Sequence, residues 1–200
     1  LPPGAELSPS QAGRAAEIVR KVRALAGPTA STRRPPPLQL VGVDGPSKLA
    51  VAYTVARELG LWLYQLPAAA LPMHAGEVET LARLWEREAY LLPVALYVDA
   101  RDADPPPLLA RFLARANGLI LLDVREAHPG LGDGSTIFEI GRPLPREQEA
   151  AWAAALGAAP GRQPTSLATL FSFDAGTIHR LAAEAGNNGG LEAICRRTAR

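Results

Sequence analysis

The chain has 200 residues, 48% of them hydrophobic, and a formal net charge of +1. That is enough for one mid-sized domain with a real core, and it excludes a nucleic-acid binder driven by bulk positive charge. A single cysteine, Cys195, excludes an internal disulfide and a thiolate metal cluster and fits a reducing, cytoplasmic setting.

In chain order, the sequence begins at Leu1 rather than Met, which predicts a piece of a longer protein. No signal peptide opens it and no run of about 18 apolar residues occurs, so no membrane partner is expected. Ser8 can cap a helix with Pro9 at its first position and Gln11 completing a capping box, and the helix runs to about Leu25. Arg14 and Lys21 share one side of it and Arg20 and Arg23 another, the pattern of a solvated helix without a basic stripe. Gly27 to Pro37, with STRRPPP, reads as a linker, so residues 1–35 form an N-terminal appendage.

Leu38-Gln39-Leu40-Val41 has the length and composition of a buried strand. A glycine-rich turn, Gly42 to Lys48, leads into a helix from Leu49 to Leu59 closed by Gly60. Residues 61–66 form a second strand, and Pro67 to Pro72 a loop. The helix from about Ala75 to Tyr90 carries Val78, Leu81, Ala82 and Trp85 on one face, with Trp85 read as core. Residues 93–99 form a third strand, followed by a triple proline, Pro105 to Pro107, that opens a helix to about Ala116. Strands four and five are 118–123 and 136–140. Beyond Pro145 only helices are expected, at about Pro145 to Leu156, Thr165 to Phe171, Asp174 to Ala185 and Gly190 to Arg200, with a flexible turn over 186–190. The expected fold is α/β: a five-stranded parallel sheet with helices on both faces over 36–143 and a helical lobe over 144–200. Ligands of such sheets bind at the carboxyl ends of the strands.

Strand, glycine turn, lysine, helix is the order of a phosphate-binding loop, in which backbone N–H groups and the helix N-terminus hold phosphate and lysine adds a point charge. Against G-x-x-x-x-G-K-[ST], Gly42 and Lys48 keep the spacing, but Ser47 replaces the second glycine and Leu49 the hydroxyl that coordinates Mg²⁺. Asp44 adds a negative charge inside the loop. Asp99 ends the third strand where a metal-binding acid belongs, and Ala100 stands where a catalytic Glu follows. Asp102 and Asp104 lie on the loop beyond and take no role. Asp123 or Arg125 stands where the fourth strand should end in a polar residue that senses the γ-phosphate, though neither is the usual Asn, Thr or Ser. As strand-end residues, Asp99 and Asp123 equally fit turn caps. His74, His128 and His179 are isolated, without the spacing of a metal site.

Gly42 to Lys48, the strand ending at Asp99, and a helical lobe opened by Phe138-Glu139-Ile140-Gly141-Arg142-Pro143 resemble the AAA+ ATPases. FEIGRPLPREQEAAWAAALG looks like the join between their α/β core and lid. LARLWEREAYLLPVALYVDARD, SFDAGTIHRLAAEA and LEAICRRTAR look more narrowly like the ATPases of extracellular, phage-tail-like contractile injection systems, in which a degenerate AAA+ module precedes a better-preserved one. The resemblance covers about residues 36–200. It implies a P-loop NTPase core in which Gly42, Gly45, Ser47 and Lys48 line phosphates, Leu49 replaces the metal ligand, and Asp99 is the metal-binding acid. It places Arg180 where the lid offers a phosphate-sensing arginine; a surface arginine on a lid helix is the other reading. No arginine pair precedes the fifth strand, so an arginine finger is absent.

The expected function is that of a degenerate AAA+ module in a larger remodelling ATPase. Binding of ATP and Mg²⁺ is weak or absent, there is no catalytic residue, and the module supplies scaffold and subunit contacts. Expected partners are other subunits or a second ATPase module of the same protein, and injection-particle components. Two alternatives are a non-enzymatic interaction module and a small-molecule phosphotransferase, the latter lacking the arginine-bearing lid such enzymes use. With neither phosphate nor metal, Lys48 is expected to pair with Asp99 and lower that carboxyl's pKa.

Overall fold

The computed structural model describes residues 7–25, 35–101, 107–131, 134–157, 164–188 and 190–199. Most of the linker, Asp102, Asp104, the first two residues of the triple proline and part of the loop before the fifth strand lie outside the described residues. The helices are α1 (Pro9–Leu25), α2 (Gly45–Glu58), α3 (Ala75–Leu91), α4 (Pro107–Leu113), α5 (Pro145–Leu156), α6 (Pro164–Leu170), α7 (Ala175–Asn188) and α8 (Leu191–Thr198). The strands are β1 (Leu38–Val41), β2 (Trp62–Pro67), β3 (Val94–Asp99), β4 (Leu119–Val124) and β5 (Thr136–Glu139). The chain divides into two compact units, residues 14–140 and residues 141–200 with the segment up to Gly13, so the division falls inside α1.

In the first unit all five strands are parallel, in the order β2-β3-β4-β1-β5. Strands β3 and β4 are apolar runs buried along nearly their whole length, as strands covered on both faces must be. On one face Leu96, Val98, Ile120 and Leu122 pack with Val78 and Ala82 of α3 and Leu109 and Phe112 of α4. Helix α2 covers other positions of β2, β3 and β4, and its Val51, Ala52, Val55 and Ala56 are buried.

Helix α2 begins four residues earlier than the sequence pattern places it. The Asp44 carboxylate accepts the Ser47 N–H at 3.1 Å, making Asp44 the N-cap, and Pro46 in the first turn is preset for helix. Residues 45–48, expected in the glycine turn, are therefore helical. At the other end Gly60 is left-handed (φ 70°), its N–H bonds the Arg57 carbonyl, and Leu61 N–H bonds the Ala56 carbonyl.

The second unit is helical. Trp152, Leu167, Phe171, Phe173, Ile178, Leu181 and Cys195 form its core, with the Phe171 and Phe173 rings stacked at 5.7 Å. Asp174 caps α7 through the Thr177 N–H and hydroxyl. Helix α7 continues to Asn188, into the turn expected over 186–190. The first turn of α1 belongs here: Ser8 N–H bonds Gln11 Oε1, as a capping box requires, and Gln11 Nε2 donates to the Gly141 carbonyl. The Ser10 N–H and hydroxyl both donate to Glu147, at 2.7 and 2.8 Å. The structure thus distributes the expected N-terminal appendage between two units.

Candidate functional site

The carboxyl edge of the sheet gathers Gly42, Asp44, Gly45 and Lys48 with residues from β3 and β4. Gly42 follows β1 with φ 148°, and a Cβ there would overlap the Ile140 carbonyl. Ile140 N–H in turn donates to the Val41 carbonyl at 2.8 Å. Glycine at 42 is thus required by the backbone beside it. Gly45 is the first residue of α2, and the Arg101 guanidinium lies directly over it, in the space a Cβ would fill.

Lys48 is fully buried. Its ammonium donates to the Gly42 carbonyl at 2.5 Å and the Val124 carbonyl at 2.9 Å, and it pairs with Asp123 Oδ1. Two of its three donors go to these carbonyls, and the ammonium charge lies against the Asp123 carboxylate.

Asp123 is equally buried and is held from three elements. Lys48 reaches it from α2, the Tyr97 hydroxyl donates to Oδ2 at 2.5 Å from β3, and Arg101 Nε lies 3.1 Å from the same oxygen. Arg101 also forks onto Asp99, with Nε 2.9 Å from Oδ1 and Nη2 2.7 Å from Oδ2. The result is a chain of charges, Lys48–Asp123–Arg101–Asp99, with two positive and two negative members. Burial pushes the Asp123 carboxyl up, opposed by hydrogen bonds from Lys48 and Tyr97 and by the Arg101 charge. Burial and the Asp123 carboxylate push the Tyr97 hydroxyl up. The guanidinium hydrogen bonds of Arg101 hold the Asp99 carboxyl below its ordinary range, against its partial burial.

The expected Lys48–Asp99 pair is corrected. Strand β4 lies between β1 and β3, and register sets Asp123 beside Leu40 and Asp99 beside Asp123. The lysine meets the nearer carboxylate, and Arg101 neutralises the farther one. The lowered pKa of Asp99 has Arg101 as its principal cause, with Lys48 a minor contributor. Of the other residues singled out from sequence, Ser47 is buried behind the Asp44 cap and Leu49 is half-buried without a hydroxyl to offer. Arg180 is exposed on α7, in the other unit. No sequence spacing joins Asp123, Arg101 and the Tyr97 hydroxyl to Lys48. The available signal was a tyrosine inside an otherwise aliphatic strand, two residues before an acid.

As arranged, these residues do not fit Mg·ATP. Lys48 is buried and its charge is spent on Asp123, the Asp44 carboxylate holds an N–H of the α2 N-terminus, Leu49 offers no metal ligand, and Arg101 covers Gly45. No His, Cys, Asp or Glu cluster suited to a metal ion occurs among the described residues, and no helix among them is long and apolar enough to cross a membrane.

Gln39, fully buried on β1, braces the loop below this edge. Its amide donates to the His128 carbonyl and the Ser135 hydroxyl, both at 2.9 Å, and accepts the His128 N–H. It seats His128 and Ser135 against β1, a role that a strand pattern alone does not announce.

The helical unit supplies the comparison with a known family. Residues 144–200 match the family model of the contractile injection system ATPase helical domain. The match starts at the residue before α5 and runs through α8, so it covers the four-helix part of the second unit. It links this chain to contractile injection system ATPases through its helical domain. No curated protein matches the chain.

Proposed function

We propose that this chain is a degenerate AAA+ module of a larger remodelling ATPase linked to a contractile injection system, and that it contributes scaffold and subunit contacts without hydrolysing ATP. The observation that carries this reading is the fate of Lys48, buried with its charge on Asp123 and bonded to two carbonyls. The β1–glycine–α2 unit of an all-parallel sheet, followed by a helical domain of the matching family, supports the AAA+ assignment. Its partners would be other subunits or a second ATPase module of the same protein, and injection-particle components. Isothermal titration of Mg·ATP into the chain, paired with a turnover assay, tests the reading. No binding at submillimolar nucleotide and negligible turnover are expected; micromolar binding abolished by Lys48→Met contradicts it.

The alternative of a pure interaction module draws support from β2, an edge strand without a charged residue that exposes Trp62 and Tyr64. In that case Tyr64→Arg would weaken assembly with the partner subunits, read by sedimentation, while leaving the isolated chain folded.

A further inference from the structure

Resting on the reading above that no nucleotide is held at this edge, we propose that the chain supplies both ions of the missing ligand from its own side chains: Asp44 stands in for the phosphate and Arg101 for the metal cation.

A helix N-terminus carries unsatisfied N–H groups and a positive partial charge, and attracts an anion. At α2 that anion is the Asp44 carboxylate, 3.1 Å from Ser47 N. The second position follows from like-charge repulsion. Asp99 and Asp123 are register partners at the ends of β3 and β4, and two carboxylates on neighbouring strand ends need a cation between them. Arg101 provides it: Nε reaches an oxygen of each, and Nη2 completes a fork onto Asp99. An arginine is large beside a divalent ion, and the space for it comes from Gly45. Its missing side chain is where the guanidinium lies. A glycine inside the loop that would face phosphate is here kept for an arginine, and Lys48 is turned inward to close the remaining charge on Asp123.

This assigns Gly45 and Arg101 to one packing unit, and the test is a reversal of sign. In the wild-type background Gly45→Ala drives a Cβ into the guanidinium and lowers the thermal unfolding midpoint by a few degrees. In Arg101→Ala the obstacle is gone, and the same substitution raises the midpoint or leaves it unchanged, because alanine is the better helix former. Arg101→Ala itself lowers the midpoint, and Arg101→Lys, which keeps the charge but loses the fork, recovers only part of the loss. Arg101 is partly exposed, so these variants are expected to fold, and circular dichroism before melting verifies it. An equal effect of Gly45→Ala in both backgrounds, with Mg·ATP still failing to stabilise the wild type, overturns the stand-in role of Arg101 alone. Stabilisation of the wild type by several degrees with Mg·ATP overturns the functional reading and this inference together.

Discussion

The two units bury polar groups in opposite ways. At the sheet edge of residues 14–140, Lys48, Asp123, Tyr97, Arg101 and Asp99 come from two strands, a helix and a loop, and Asp123 joins them across the sheet while Asp99 is held by nearby Arg101. In the helical unit the buried polar tie is a neutral amide, and the carboxylates sit at caps and on the exposed surface. Gln148 donates to the Pro143 carbonyl and accepts the Phe173 N–H, and Glu147 accepts the Leu144 N–H within its own capping turn. The difference sets how each region fails. Removing Lys48 strands the Asp123 charge away from water, whereas removing a cap in the second returns its partners to solvent.

The largest effect is expected at the buried pair. Lys48→Met leaves Asp123 uncompensated and should cost about 3–5 kcal/mol in urea unfolding. Adding Asp123→Leu should recover most of that loss, since replacing both charges by apolar groups is often close to neutral. A double variant no more stable than the single one would show that the pair is not the structural unit described.

Gly42→Ala comes next. A Cβ at φ 148° beside the Ile140 carbonyl combines backbone strain with overlap, and a loss of about 1–3 kcal/mol is expected in the same assay. For Asp44→Ala the loss is that of an N-cap, about 1 kcal/mol; loss of the cap alone leaves the Lys48 interactions in place. A stability gain on Asp44→Ala would mean that its carboxylate opposes the helix instead of capping it.

The smallest effect distinguishes the helical unit by pH. Burial works to raise the Glu147 carboxyl, but the Leu144 and Ser10 N–H groups and the Ser10 and Ser8 hydroxyls outweigh it, so its pKa lies below the ordinary carboxylate range. A carboxyl lowered on folding stabilises the fold above its unfolded pKa, and this contribution disappears as pH falls through the lower folded value. Glu147→Gln should therefore lower the midpoint at neutral pH and converge with wild type in acid. A difference that persists unchanged at low pH would assign the loss to packing instead of charge.

Much of the fold is legible in the sequence because its signals are local. Ser8, Pro9 and Gln11 announce α1, Gly60 ends α2, and the apolar runs of β3 and β4 mark buried strands without further context. The start of α2 was misplaced because Gly42-Val43-Asp44-Gly45-Pro46 reads as turn chemistry, while the structure uses Asp44 as a cap and lets Pro46 begin the helix. The site was less legible, for a topological reason. Spacing identifies Lys48 and Asp99 as chemically notable but says nothing of which strand lies between them, and the insertion of β4 hands the lysine to Asp123. Arg101 carried no motif at all, and its role emerges only from the fork it makes over Gly45.

The side-chain ammonium of Lys48 tests the central claim most directly. Heteronuclear NMR of selectively labelled lysine, assigned through Lys48→Met, should show one NζH₃ signal protected from exchange with water and unmoved by saturating Mg·ATP. A Lys48 signal that exchanges as fast as the surface lysine, Lys21, and shifts on adding nucleotide would contradict the account.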